Sequence, residues 1–238
     1  MIIEGSIAIK AAIKGNKRKI DKVYIDKHKR TKDFNYIRFL CHENNIEILP
    51  VDREYINSEA KGSSHGGIIA SVSLREFESI TELVQNKHLF YIDGVEDPYN
   101  LGYVLRTLFA FGFSDVILPK RDMESFEATL LKSSAGAYDL MNIYLSEDLL
   151  TDITYLKDMN YHIYALNRSD SSVDIFDCEF EDRACFLVGG EKRGISSRIL
   201  DVVDTSLYIP YDNDFKMALS AASSVDVLAT IIFQGSRK

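Results

Sequence analysis

No run of the 238-residue chain approaches 18 apolar residues, so nothing in it reads as a membrane-spanning helix. Cysteine is scarce: Cys41, Cys178 and Cys185 are the three, and none forms a Cys-x-x-Cys pair. An odd, scattered count in a chain of this size argues against a disulfide framework and for reduced thiols. The nucleotide-binding spacings Gly-x-x-x-x-Gly-Lys-Ser/Thr and Gly-x-Gly-x-x-Gly are also absent, which counts against a Walker-type NTPase and a dinucleotide-dependent oxidoreductase. At the N-terminus the apolar part is broken by Glu4 and Lys10, and the basic run follows it. A secretory signal has the reverse order, so the expected location is the cytoplasm.

Charge is present, but unevenly. The formal net charge is −8, yet residues 1–77 carry +4 and residues 78–238 carry −12. Ten basic residues fall between Lys10 and Lys32, against Asp21 and Asp26 alone. Screening limits distant charges to about 8–10 Å, so such a patch attracts phosphate whatever the global sum. A Lys-rich stretch is also often just a solvated face.

Periodicity divides the chain. Residues 1–77 alternate helical and strand patterns: helices over Ser6–Lys14 and Phe34–Glu43, strands over Lys22–Ile25, Ile46–Val51 and Gly67–Val72. We read them as a small α/β domain. Residues 78–88 are polar and read as a linker or connecting helix. From 89 to 238 short apolar strands alternate with helices, ending in a long helix over Met217–Phe233. That pattern implies a mainly parallel sheet covered on both faces.

In such sheets ligands bind where strands end and helices begin, and three junctions carry chemistry. The first is Asp93-Gly94-Val95-Glu96-Asp97-Pro98-Tyr99-Asn100-Leu101-Gly102, with Arg106-Thr107 downstream; Asn100 reads as a helix cap. The second is Val188-Gly189-Gly190-Glu191-Lys192-Arg193-Gly194. Its glycines let backbone amides face a ligand, and Glu191 favours a neutral or cationic ligand over an anion. The third is Tyr208-Ile209-Pro210-Tyr211, then Lys216-Met217-Ala218-Leu219-Ser220 leading into a helix rich in small residues. Read singly, each also fits an ordinary capped helix, turn or packed core helix.

Together, in this order, the three blocks resemble motifs 1, 2 and 3 of the SpoU (TrmH-like) branch of the SPOUT methyltransferases. Gly5…Ala8…Ala11-Ala12-Ile13 and Ser64-His65-Gly66-Gly67-Ile68 resemble the small substrate-binding domain that often precedes it. The third block departs from the pattern: Lys216-Met217-Ala218 stand where the family usually has Ser-Leu-Asn. The resemblance implies an α/β catalytic domain with a C-terminal deep trefoil knot, a homodimer, and methyl transfer from S-adenosylmethionine to a ribose 2′-hydroxyl of ribosomal or transfer RNA. It requires no metal. By position Arg106 is the catalytic arginine, with Asn100 to orient it or the ribose, Glu191 to anchor the loop, and Ser220 as a weaker substitute for the missing polar groups. Gly189, Ile209 and Met217 stand at cofactor-contact positions, and Gly190 and Gly194 are added to them. Lys17, Arg18, Lys19 and His65 are the RNA-docking candidates. The missing Ser and Asn leave open an RNA-binding protein that keeps the knot without the activity.

Overall fold

A computed structural model describes residues 1–190, 194–215 and 217–235. The chain opens with β1 (Ile2–Glu4), α1 (Ser6–Gly15), β2 (Ile20–Asp26), α2 (Lys32–Glu43), β3 (Glu47–Val51), α3 (Arg53–Glu59) and β4 (Ile68–Val72). After α4 (Ile80–Leu83) come β5 (His88–Ile92), α5 (Pro98–Ala110) and β6 (Asp115–Pro119). A 3-10 turn at Glu124–Phe126 leads into α6 (Glu127–Ser133) and α7 (Ala137–Leu140). The remainder is β7 (Asn142–Ser146), α8 (Leu149–Asp158), β8 (His162–Leu166), β9 (Val173–Asp174), β10 (Ala184–Val188), α9 (Ser197–Leu200), β11 (Thr205–Tyr208) and α10 (Ala221–Gly235). Among the described residues no helix is long and apolar enough to cross a membrane.

These elements form two compact units, and the division is not a single cut. The first comprises Met1–Glu76 with Met123–Leu140; the second comprises Phe77–Asp122 with Met141–Lys238. Residues 123–140, read from the sequence as part of the C-terminal domain, therefore fold with the N-terminal one. The reason is a buried ion cluster. Arg18, 4% exposed, donates from Nη2 to Asp139 at 2.7 Å and to Glu127 at 2.8 Å. The Arg75 backbone N–H donates to the same Glu127 carboxylate at 3.3 Å, and its guanidinium donates to the Tyr138 carbonyl. Buried carboxylates are tolerated only when paired, so α6 and α7 belong where the arginines are. The sheet of this unit has the order β1-β4-β2-β3. β4 runs antiparallel to β1 and β2, while β2 and β3 are parallel.

The second unit holds a seven-stranded sheet, order β7-β6-β5-β10-β8-β11-β9, with every pair parallel. All five residues of β10 are buried, as a parallel strand covered on both faces requires. On one face Leu89, Tyr91, Ile117, Ile163 and Leu187 join an aliphatic cluster. On the other, Phe90, Phe186 and Tyr164 form a row across β5, β10 and β8, with centroids 5.2 Å apart at each step. The stretch read as a linker is part of this unit. Ser79 and Glu82 make a capping box for α4, and Leu83 is fully buried in the aliphatic cluster.

The chain lays down β5, β6 and β7 in one direction, then crosses to β8 beyond β5, and later inserts β10 between β5 and β8. Such a reversal of direction is where a ligand crevice opens at the strands' carboxyl ends.

Candidate active site

The C-terminal ends of β5, β10, β8 and β11 lie side by side on one edge of this sheet, and three of the motif turns leave from it. After β5 and β10 the turns meet backbone to backbone. The Asp93 N–H donates to the Val188 carbonyl at 2.9 Å. A Cβ on Gly190 would lie 2.6 Å from the Gly94 carbonyl oxygen, and one on Gly189 would lie 2.5 Å from the Gly194 carbonyl carbon. Neither position can carry a side chain without moving the main chain. Gly190 and Gly194 also bridge the loop, the Gly194 N–H donating to the Gly190 carbonyl at 2.9 Å. The glycines thus allow the close packing of two turns. Glu191, expected to anchor this loop, lies outside the described residues.

The cap of α5 lies three residues earlier than its sequence suggested. Pro98 occupies the first turn, and Asp97 is the cap, its carboxylate accepting the Asn100 N–H at 2.9 Å. Proline is preorganised for that place and has no N–H to satisfy, which moves the cap to the residue before it and Asn100 into the first turn. The side chains of Asn100 and Arg106 are both exposed and make no hydrogen bond among the described residues. They stand about 9 Å apart along the helix axis, too far for Asn100 to orient Arg106 directly. Arg106 shares one helical stripe with Tyr99 and Tyr103, 56% and 50% exposed.

Beyond β11, Ile209 and Met217 line one cleft of about 190 Å³. Gly189, Gly190 and Gly194 are not among its lining residues; they sit at the neighbouring strand end. Met217 is not helical. The helix α10 begins at Ala221 because Ser220 caps it, its hydroxyl accepting the Ser223 N–H at 3.1 Å and its carbonyl the Ser224 N–H at 2.9 Å. Ser220 is therefore the cap of α10. The cleft also includes Tyr211, named in the third block without a role, and Asn167 and Arg168, which the sequence reading missed. Asn167 and Arg168 follow β8 directly, so the strand-end rule applied to that junction would have found them.

The RNA-docking candidates lie in the first unit. Lys19 is open, its side chain 80% exposed and 3.3 Å from Asp21; Lys17 is half-buried. Arg18 is not available to RNA, since its guanidinium is buried between Asp139 and Glu127. His65 is 3% exposed. Its Nδ1 accepts the Gly67 N–H at 3.3 Å, and burial lowers its pKa, so the ring is a neutral turn residue. It borders a cavity of about 360 Å³ with Thr31, Lys29 and Lys32.

The family model described as the SpoU rRNA methylase family matches residues 87–229. A second, described as RNA 2′-O ribose methyltransferase substrate binding, matches residues 2–78. Among similar proteins are two named 23S rRNA (guanosine-2′-O-)-methyltransferase RlmB. One, from Neisseria meningitidis serogroup B, is 28% identical over 87% of this chain and 85% of its own. The other, from Haemophilus ducreyi, is 27% identical over 87% of each. The SpoU methyltransferase AviRb of Streptomyces viridochromogenes, solved with AdoMet, superposes with a TM-score of 0.79 at 14% identity, covering 100% of this chain and 91% of that one. An AdoMet-bound rRNA methyltransferase of Sinorhizobium meliloti gives 0.79 at 17%, covering 98% and 86%.

Proposed function

The chain belongs to the SpoU rRNA methylase family, and from that premise we infer that it transfers the methyl group of S-adenosylmethionine to a ribose 2′-hydroxyl in RNA. The observation that carries this reading is the convergence at one sheet edge. The bare backbone contact of Gly94 with Gly190 and the cleft at Ile209 and Met217 lie at the same ends of neighbouring parallel strands, and α5, which carries Arg106, starts from that edge.

The residues fit the cofactor. Its bound sulfonium supplies an electrophilic methyl. On the protein's side, Ile209, Met217 and Leu219 offer an apolar wall. Gly189 and Gly190 let the turns after β10 and β5 pack backbone to backbone. The attacking oxygen gains negative charge as it loses its proton, and that charge must be stabilised. Arg106 is suited to this. A guanidinium stays protonated, so it acts as a fixed positive charge with paired donors for a phosphate or the developing oxyanion, and not as a base. Asn100 in the first turn of α5 orients the ribose.

We assign four further features on the same basis. Inserting β10 between β5 and β8 after both are in place is the strand order that supports a trefoil knot. A homodimer is supported by an open groove of about 990 Å³ along α10, where Phe176 is 61% exposed. Docking of RNA falls to the first unit through Lys17 and Lys19, whose phosphate contacts position without reading sequence, and the reaction belongs in the cytoplasm. Ribosomal RNA is the first substrate to map, because the relatives above are named for it. A non-catalytic RNA binder finds no support in the family matches.

Incubating RNA with the protein and isotopically labelled S-adenosylmethionine, then digesting to nucleosides, tests the reading. We expect label in 2′-O-methylribose. Arg106→Ala should lower the transfer rate by at least about 100-fold, the scale of one lost charge-stabilising group, with cofactor affinity unchanged. Full transfer by that variant would remove Arg106 from the mechanism.

A further inference from the structure

We propose that Arg168 binds the α-carboxylate of the cofactor's amino-acid end, and so sets which way round the cofactor lies in the cleft. The proposal rests on the adenosylmethionine reading above. Among the described residues, Arg168 is the only charged side chain lining the cleft. It makes no hydrogen bond or ion pair there. Its guanidinium carbon instead sits 4.8 Å from the centroid of the Tyr211 ring. Tyr211 is itself fixed, its hydroxyl accepting the Leu219 N–H at 3.0 Å. One stacked pair thereby ties together the loop after β8, the loop after β11 and the approach to α10.

The charge inventory of the cofactor does the rest. Near neutral pH it carries two cations, the sulfonium and the ammonium, and a single anion, the carboxylate. A cation in the wall repels the first two and attracts the third. Stacking on an aromatic ring preorganises a guanidinium while leaving its N–H donors for an acceptor, and a carboxylate matches that fork in two parallel bonds. The carboxylate therefore goes to Arg168 and the sulfonium away from it, toward the neutral part of the cleft.

Two nucleosides separate this role from a merely structural one. S-adenosylhomocysteine keeps the amino-acid end; 5′-methylthioadenosine shares the adenosine and thioether but lacks it. Titration calorimetry of each into wild type, Arg168→Ala and Arg168→Lys gives the readout, with urea unfolding to confirm equal stability. We expect Arg168→Ala to weaken S-adenosylhomocysteine about 10- to 100-fold, the range of a charged hydrogen-bonded pair. Its affinity for 5′-methylthioadenosine should stay within about twofold, and Arg168→Lys should retain part of the selectivity. Equal weakening of both nucleosides, or of neither, would overturn the proposal, as would loss of RNA affinity with S-adenosylhomocysteine binding intact. Failure of the wild type to bind either nucleoside would overturn the cofactor reading itself, and this assignment with it.

Discussion

The two units solve the burial problem with different materials. The parallel unit is built on apolar contact. Every residue of β10 is buried, both sheet faces are aliphatic or aromatic, and Asp115 and Asp152 are its buried charges among the described residues. The N-terminal unit buries Arg18, Arg75, Glu127 and Asp139 together, along with Asp26 and His65. Desolvating charge is costly and is recovered only through good pairing. A buried ionic cluster is thus poor evidence of extra stability but strong evidence of a specified arrangement. Here it decides that α6 and α7, some fifty residues beyond the rest of that unit, fold with it. In the parallel unit Arg168 at the cleft and Arg106 on α5 make no hydrogen bond or ion pair among the described residues.

The largest effect should come from breaking the ionic cluster. Arg18→Met leaves Glu127 and Asp139 buried without their main partner, which we expect to cost about 3–5 kcal/mol in urea unfolding. Adding Glu127→Gln and Asp139→Asn to that variant should recover a substantial part, because the uncompensated charge is gone. If the single variant costs less than about 1 kcal/mol, the contrast between the units is wrong.

The parallel unit should be sensitive to a single methyl group. Gly190→Ala places a Cβ 2.6 Å from the Gly94 carbonyl oxygen, a backbone clash of the kind that costs about 1–3 kcal/mol. It should also weaken S-adenosylhomocysteine binding by about tenfold or more as the two turns separate. Gly194→Ala is the control. That residue has φ +60 with open space around its Cβ, so it should lose only about 1–2 kcal/mol from the left-handed conformation. Comparable cofactor affinity in the two variants would show that the close approach is not what the turn is for.

How much of this was visible in the sequence follows the same divide. Strands β8 and β10 coincide with their apolar runs, His162–Leu166 and Ala184–Val188, because a parallel strand buried on both faces writes itself as one. The motif turns were legible for the same reason: they sit where those runs stop. The allegiance of residues 123–140 was not, since Arg18 reads as one more member of a basic stretch until Asp139 is seen beside it. Helix ends were missed where a cap outweighed periodicity, at Asp97 for α5 and at Ser220 for α10. Arg168 was missed because the strand-end rule was not applied to the β8 junction, and its stacking on Tyr211 joins two loops with no regular spacing between them.

The smallest effect tests whether the basic face of the first unit acts apart from the chemistry of the second. Lys19 is the clean probe, because its side chain is 80% exposed and pairs with the exposed Asp21, and removing it leaves the buried cluster intact. A lysine contacting one phosphate releases about one counterion, so Lys19→Ala should weaken RNA binding only a few-fold and reduce the salt slope of log affinity by about 1. Binding of S-adenosylhomocysteine should not change, since nothing in the cofactor cleft depends on this side chain. An unchanged salt slope would take Lys19 out of the RNA interface. A fall in cofactor affinity would mean that the division of labour between the units is drawn in the wrong place.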